Sequence, residues 1–293
     1  MRRFFLVIVA LAAVLAAAGW FLSAPARLPA DATAGLEGDP GRGERIFLAG
    51  GCASCHAPED AEGEERRVLA GGHRLDSEFG TFVAPNISPD PEHGIGGWTL
   101  AQFADAMMRG VSPDGRHYYP AFPYTSYAKM EMQDVADLWA FLQTLPAADV
   151  ESAAHDVSFP YNLRRGIGIW KRLYVDDAFV MTHAGTAQLE RGRYLVEALA
   201  HCAECHTPRD RFGGLDPERW MEGAPNPSGE GRIPAITHDA LGWSASDIAW
   251  YLESGFTPDY DSAGGSMADV ITNLAQLEAA DREAIAAYLL ALN

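Results

Sequence analysis

The chain carries most of its motifs twice. Cys52-Ala53-Ser54-Cys55-His56 returns as Cys202-Ala203-Glu204-Cys205-His206, and Pro85-Asn86-Ile87-Ser88 returns as Pro234-Ala235-Ile236-Thr237. Gly97-Trp98-Thr99 is matched by Gly242-Trp243-Ser244, Gly110-Val111-Ser112-Pro113-Asp114 by Gly255-Phe256-Thr257-Pro258-Asp259, and the run from Asp134 to Leu142 by Asp281 to Leu289. The separation drifts only between 145 and 150 residues, as a few small insertions would produce. Self-similarity at a nearly fixed offset marks a duplicated unit. The 293 residues divide accordingly into an N-terminal signal or membrane anchor (1–23), a tether rich in Ala, Pro, Gly and Asp (24–38), a first unit (39–146), a bridging strap (147–183) and a second unit (184–293).

Within each unit the pattern predicts short helices and an all-α fold. Thr99 and Ser244 suit helix N-caps, and Gly110 and Gly255 suit the left-handed residue that ends a helix, with Pro113 and Pro258 three residues beyond. Between them Phe103, Ala106 and Met107 in one copy, and Ile248 and Tyr251 in the other, recur at helical spacing. Val135, Leu138, Trp139 and Leu142, and again Ile285, Tyr288 and Leu289, define a last helix with one buried face. No run alternates as a long strand would.

Two thiols three residues apart, followed at once by histidine, form the Cys-x-x-Cys-His signature of covalent haem attachment. The thiols share one helical turn and reach the two vinyl groups, and the histidine faces the iron as its proximal ligand. Cys52, Cys55 and His56, and Cys202, Cys205 and His206, are therefore the cofactor-binding residues, with His56 and His206 on the metal. A redox dithiol and half a zinc site are the competing readings. A dithiol needs no following histidine, and a zinc site needs its ligands together, whereas these pairs lie in separate copies. The chain has four cysteines, all in the motifs. Pro58 and Pro208, two residues beyond each histidine, offer carbonyls that could accept the second imidazole N–H, or simply form a turn.

Arg2 and Arg3 precede an uncharged apolar run from Phe4 to Leu22. Its 19 residues span about 28 Å as a helix, close to the ~30 Å of a hydrocarbon core. Paired arginines stay cytoplasmic, so the rest is expected outside. A retained inner-membrane anchor with the body in the periplasm is the preferred reading, supported by Trp20 at the outer boundary. A signal cleaved near Ala24 or Ala30 to release a soluble periplasmic protein is the other. The count of 22 basic against 40 acidic residues, a net charge of −18, argues against nucleic acid and for basic partners.

The stretches Gly50-Gly51-Cys52-Ala53-Ser54-Cys55-His56, Ala84-Pro85-Asn86-Ile87-Ser88-Pro89-Asp90, Gly94-Ile95-Gly96-Gly97-Trp98 and Tyr119-Pro120-Ala121-Phe122-Pro123-Tyr124 resemble the di-haem, membrane-anchored cytochromes c related to the cytochrome subunits of bacterial alcohol, aldehyde and gluconate dehydrogenases. The resemblance covers nearly the whole chain. It implies two tandem class I cytochrome c-like domains at 39–146 and 184–293, two covalently bound haem c groups with iron, and no catalysis by the chain itself. It also implies a dehydrogenase as electron donor and an oxidase or soluble cytochrome of the respiratory chain as acceptor.

A transfer haem usually carries a second axial ligand, and a methionine thioether raises its potential. Met267 in Gly264-Gly265-Ser266-Met267-Ala268 is the candidate for the second haem, lying where the family places its ligand; a core methionine is the plainer reading. The related subunits typically have Tyr-Pro-Ala-Met-Pro-Tyr where this chain has Phe122, which cannot ligate iron. Met130 is then the candidate for the first haem, with His117 or an open sixth position as alternatives. An open position would make the chain a haem enzyme, a peroxidase or small-molecule reductase. Met107 and Met108 read as core residues, and Met132 as the start of the last helix. The strap carries a basic cluster, Arg164, Arg165, Lys171 and Arg172, that could neutralise haem propionates or dock a partner; the simpler expectation is a strap packed across both units by Phe159, Ile167 and Trp170. His73, His93, His155, His183, His201 and His238 show no ligand spacing and read as surface or loop residues.

Overall fold

The computed structural model describes residues 1–227, 229 and 231–292. An apolar helix, α1 (Arg2–Leu22), leads the chain and has no buried residue. Helix α2 (Pro40–Ala49) follows, started by Asp39, whose side chain accepts from the Arg42 N–H, and by Pro40 at its first position. After α3 (Cys52–His56) come a 3₁₀ turn (Gly63–Arg67) and a hairpin of β1 (Arg74–Ser77) and β2 (Gly80–Val83), in which Arg74 faces Val83. Helices α4 (Leu100–Arg109), α5 (Tyr124–Tyr127) and α6 (Met132–Leu142) complete the first half. Helix α7 (Arg165–Tyr174) lies in the strap.

The second half repeats the order. Helix α8 (Ala187–Tyr194) runs on as a π-helical segment (Leu195–Leu199), and α9 (Ala203–His206) carries the second motif. A 3₁₀ turn (Pro217–Arg219), the two-residue strands β3 (Ala224–Pro225) and β4 (Arg232–Ile233), and helices α10 (His238–Leu241), α11 (Ala245–Ser254), α12 (Ser266–Leu274) and α13 (Ala279–Leu290) follow. The structure is mainly helical, and the all-helical expectation needs one adjustment: each half holds an antiparallel strand pair, too short to show alternation in sequence.

Helix ends form as the sequence predicts. Thr99 with Gln102, and Ser244 with Asp247, make reciprocal capping boxes, and Gly110 and Gly255 end α4 and α11 at φ of 57° and 78°. The predicted core faces turn inward: Phe103, Ala106, Met107, Met108, Val135, Leu138 and Leu142 are buried in the first half, and Ile248, Ile285, Tyr288 and Leu289 in the second, while Trp139 and Tyr251 are half-buried at their edges.

In each half the helix before the motif crosses the last helix at a glycine. A Cβ on Gly43 of α2 would stand 2.0 Å from the Asp137 carbonyl of α6, and one on Gly192 of α8 would stand 2.1 Å from the Ala284 carbonyl of α13. Only a glycine permits that approach. The two halves also share one apolar core, in which Phe47, Met130, Leu199 and Leu274 belong to a single cluster.

Two expectations for the connecting segments change. The stretch at 24–38 is fastened to the first half. Buried Asp105 accepts from Arg27 and from the Leu28 N–H, both at 2.8 Å, and Gln133 donates to the Glu37 carbonyl at 2.9 Å. The reason is that a buried carboxylate requires donors, which these residues supply. In the strap, Ile167 is buried and Trp170 bridges the halves, edge-on to Tyr124 and donating its indole N–H to the Phe212 carbonyl at 2.9 Å. Phe159 does not pack there; it is 76 % exposed, held outside by the turn that precedes α7.

Candidate haem-binding sites

Gly51, at φ 59°, turns the chain from α2 into the single helical turn of α3. Cys52 and Cys55 are free thiols on that turn, and Cys202 and Cys205 are free thiols around α9. Burial pushes Cys52 up to about 12 and Cys55 to about 11, with nearby Cys205 raising Cys55 further. It pushes Cys202 up to about 12 as well. These thiols are held in the neutral form, unlike the low-pKa thiol of a redox dithiol.

The histidines are fixed alike. Nδ1–H of His56 donates to the Pro85 carbonyl, and Nδ1–H of His206 to the Pro234 carbonyl, each at 2.8 Å. Burial lowers both imidazole pKa values, favouring the neutral ring. With Nδ1 occupied as a donor, Nε2 is the nitrogen left with a lone pair for a metal. The backbone closes the same loop twice, Gly71 N–H donating to the His56 carbonyl at 2.8 Å and Gly223 N–H to that of His206 at 2.7 Å. Paired thiols on one turn and a neutral, oriented imidazole fit a covalently attached haem at both places.

The prolines that orient the rings are therefore not Pro58 and Pro208. Those carbonyls accept from Ala61 N–H at 3.0 Å and Asp216 N–H at 2.9 Å, closing the turns after each motif. A carbonyl two residues away lies beside the helical turn, whereas the ring projects towards a segment 28 or 29 residues on. The repeat of Pro85-Asn86-Ile87-Ser88 in Pro234-Ala235-Ile236-Thr237 held that signal.

The two sites adjoin one interface. The third residue of each motif is bound by the opposite half. Asn273 of α12 donates to Ser54 Oγ at 2.8 Å, and Thr125 of α5 donates to the Glu204 carboxylate. His201 donates from Nε2 to the Gly50 carbonyl at 3.2 Å and stands edge-on to Tyr127. Arg66 meets Asp269 at 3.2 Å, and the Tyr194 hydroxyl links the Glu131 N–H to Asp134. His201 and His155 are thus structural rather than merely superficial. His155 accepts from the Val83 N–H at 3.0 Å and packs against Phe82 and Tyr119.

Met130 is 4 % exposed and lines a small cavity with Cys52, Ile46, Tyr127 and Leu138; Met107 of α4 lines it too. Phe122 is half-buried among Tyr118, Tyr124 and Tyr127. Met267 lies on the first turn of α12, half-buried against the shared core. Met221 is fully buried, and its carbonyl accepts from Ile236 as that of Leu69 accepts from Ile87, so it fills the core position of Leu69. His117 is engaged elsewhere: its Nε2–H donates to the Ser23 carbonyl at the end of α1 at 2.9 Å.

The cytochrome c family profile matches residues 41–146. A "Diheme cytochrome c-type" protein of Cereibacter sphaeroides is 57% identical over 289 residues, covering 99% of this chain and 98% of its own. The fructose dehydrogenase cytochrome subunit of Gluconobacter japonicus is 37% identical over 85% of this chain. The cytochrome c subunit of the quinone-dependent alcohol dehydrogenase of Gluconobacter oxydans is 32% identical over 78%. This chain spans 51% and 49% of the length of those two relatives.

Proposed function

Since the chain belongs to the di-haem c-type cytochromes, we propose that it takes electrons from a periplasmic or membrane-bound dehydrogenase and delivers them to an oxidase or soluble cytochrome of the respiratory chain. Two covalently bound haem c groups supply one-electron chemistry at iron. Everything else falls to the protein: it attaches, orients and encloses them. Cys52 and Cys55, with Cys202 and Cys205, would hold the haems through thioethers, and His56 and His206 would offer Nε2 to the iron, their rings held by Pro85 and Pro234. The chain reads as two cytochrome c domains, 39–146 and 184–293, joined by the strap.

The observation that carries this reading is the reciprocal interface. Ser54 and Glu204 lie inside the two motifs, and each is bound by the other half. Both attachment segments therefore face one junction, as a carrier that passes an electron between its own two centres requires. The relatives that are named cytochrome subunits of dehydrogenases point to the same donor class. Helix α1 is read as a retained anchor in the inner membrane, with the haem domains in the periplasm. The acidic surface then favours basic docking faces on soluble partners.

Met130 and Met267 are read as the sixth ligands. Burial of Met130 beside Cys52 favours a filled sixth position at the first haem and weighs against an open, catalytic one. The ferric absorption spectra of Met130→Ala, Met267→Ala and Met107→Leu variants test this directly. Each alanine variant should lose one methionine-to-iron band, and Met107→Leu should keep both. Two intact bands in Met130→Ala would remove Met130 from the assignment. A high-spin wild-type spectrum with peroxide turnover would favour the enzyme instead.

A further inference from the structure

The last carbonyls of α1 are claimed by the body of the protein. Arg165 donates to the Trp20 carbonyl at 2.7 Å and lies over the Trp20 ring at 4.1 Å. Arg172 donates to the Leu22 carbonyl at 2.6 Å, and His117 to that of Ser23. A Cβ on Gly168 would stand 2.3 Å from the Ser23 carbonyl oxygen, so α7 touches the end of α1 there as well. Helix C-termini leave these acceptors open and favour cations beside them.

The contact pattern fixes how the helices cross. On α7 the contacts fall at Arg165, Gly168 and Arg172, one face, spread over about 10 Å at ~1.5 Å per residue. On α1 they are confined to Trp20, Leu22 and Ser23. Helix α7 therefore lies across the end of α1 as a crossbar and does not run alongside it. Its opposite face belongs to the haem-bearing body. Ile167 is buried, Trp170 packs on Tyr124, and Lys171 caps α4 by donating to the Arg109 and Gly110 carbonyls at 2.6 Å. The remaining flank, next to the α1 contacts, is apolar and open. Leu163, Ile169 and Leu173 are 58%, 46% and 69% exposed, and Phe159 and Tyr161 precede them at 76% and 50%.

We propose that this face, from Phe159 through Leu173, lies in the headgroup region of the membrane that α1 crosses, with an anionic phospholipid surface as its occupant. The inference rests on the reading of α1 as a retained anchor. A helix laid across the exit of a membrane span sits at the depth of the bilayer boundary, with its axis in the membrane plane. Apolar side chains on the flank facing back towards the span then enter the acyl boundary, and arginines beside them meet phosphates. Charge agrees: Arg165 and Arg172 stand here beside the end of α1, in a chain of net charge −18, while Arg164 turns inward to the His117 carbonyl and the Tyr119 ring. The haem domains are thereby held at a fixed height and tilt above the membrane, where a flexible tether would let them swing.

The chain's four native cysteines lie in the haem motifs, so an introduced cysteine is a unique reactive thiol. Full-length haem-loaded Ile169→Cys, Leu173→Cys and Val150→Cys would be placed in nanodiscs of phosphatidylcholine and phosphatidylglycerol and labelled with a membrane-impermeant maleimide. Ile169 and Val150 are matched at 46% and 48% exposure in the protein alone. Both strap variants should react about tenfold more slowly than Val150→Cys. Equal rates, with α1 present in the intact mass, would overturn this inference and leave the anchor standing. A mature chain lacking α1 would remove the anchor reading and this inference together. Protection in native membranes but not in nanodiscs would give the face to a protein partner and overturn the lipid assignment.

Discussion

In the first half, the chain leaving α4 turns at Gly110 directly under Tyr124: a Cβ there would stand 2.4 Å from the tyrosine ring, and Tyr124 is fully buried. In the second half the equivalent turn at Gly255 is open, its nearest neighbour being Ile271 at 3.8 Å, and the following Phe256 and Tyr260 are 47% and 88% exposed. What comes next differs as well. One short turn, α5, precedes Met130 in the first half, whereas a nine-residue helix, α12, begins at Ser266 and carries Met267 on its first turn in the second. The helix crossing, the caps and the histidine-to-proline hydrogen bond are held in common. Divergence is concentrated where the two candidate methionines are presented. Duplication has kept the attachment scaffold and changed the loop that closes over it.

The helix crossings test the common part most severely. Replacing Gly43 or Gly192 by alanine puts a methyl group against a carbonyl oxygen of the last helix, and backbone on both sides must separate. Each variant should lose about 3 kcal/mol in guanidinium unfolding, more than alanine gains in helix propensity. A large loss at Gly43 with tolerance at Gly192 would break the equivalence of the two crossings.

The cores differ in polarity beneath those crossings. In the first half Phe47 packs on Phe141 with ring centres 5.2 Å apart. In the second, buried Glu197 accepts from the Tyr288 hydroxyl at 2.7 Å and from the strap's Val180 and Met181 N–H groups at 2.6 and 3.0 Å. The Trp220 indole N–H donates to the same hydroxyl at 3.0 Å. Tyr288→Phe deletes one oxygen and strips both Glu197 and Trp220 of a partner, so it should cost about 2 kcal/mol. A loss under about 0.5 kcal/mol, within the usual range for a surface change, would show that the network adds little to the second half.

How far the fold could be read from sequence follows from the range of each interaction. The motifs, capping boxes and C-terminal glycines are local, and each is complete within about five residues, so they were legible. The partners of His56 and His206 lie 29 and 28 residues away and were missed in favour of adjacent Pro58 and Pro208. Their signal was the repeated proline segment, which composition alone does not single out. The Ser54–Asn273 and Thr125–Glu204 contacts span 219 and 79 residues, and their residue types differ between copies. No pattern within one copy reveals a contact made only when the copies meet. The exposure of Phe159 escapes the sequence for another reason: hydrophobicity alone does not say whether a side chain is packed or left on the surface.

The smallest effects address whether the two halves unfold together. Thr99 and Ser244 each accept a hydrogen bond from the N–H three residues on at 3.2 Å, and removing either hydroxyl should cost about 1 kcal/mol. The caps belong to different halves, so their free energies should add to within about 0.5 kcal/mol in the double variant. Shared burial of Met130, Leu199 and Leu274 makes a single unfolding transition the expectation, with either variant moving the whole helical circular dichroism signal to lower denaturant. Two resolved transitions, with Thr99→Ala shifting one and Ser244→Ala the other, would mean that each half stands without its neighbour. The interface would then be a docking of finished domains, and its reciprocal hydrogen bonds would serve to set the distance between the two attachment segments more than to stabilise either half.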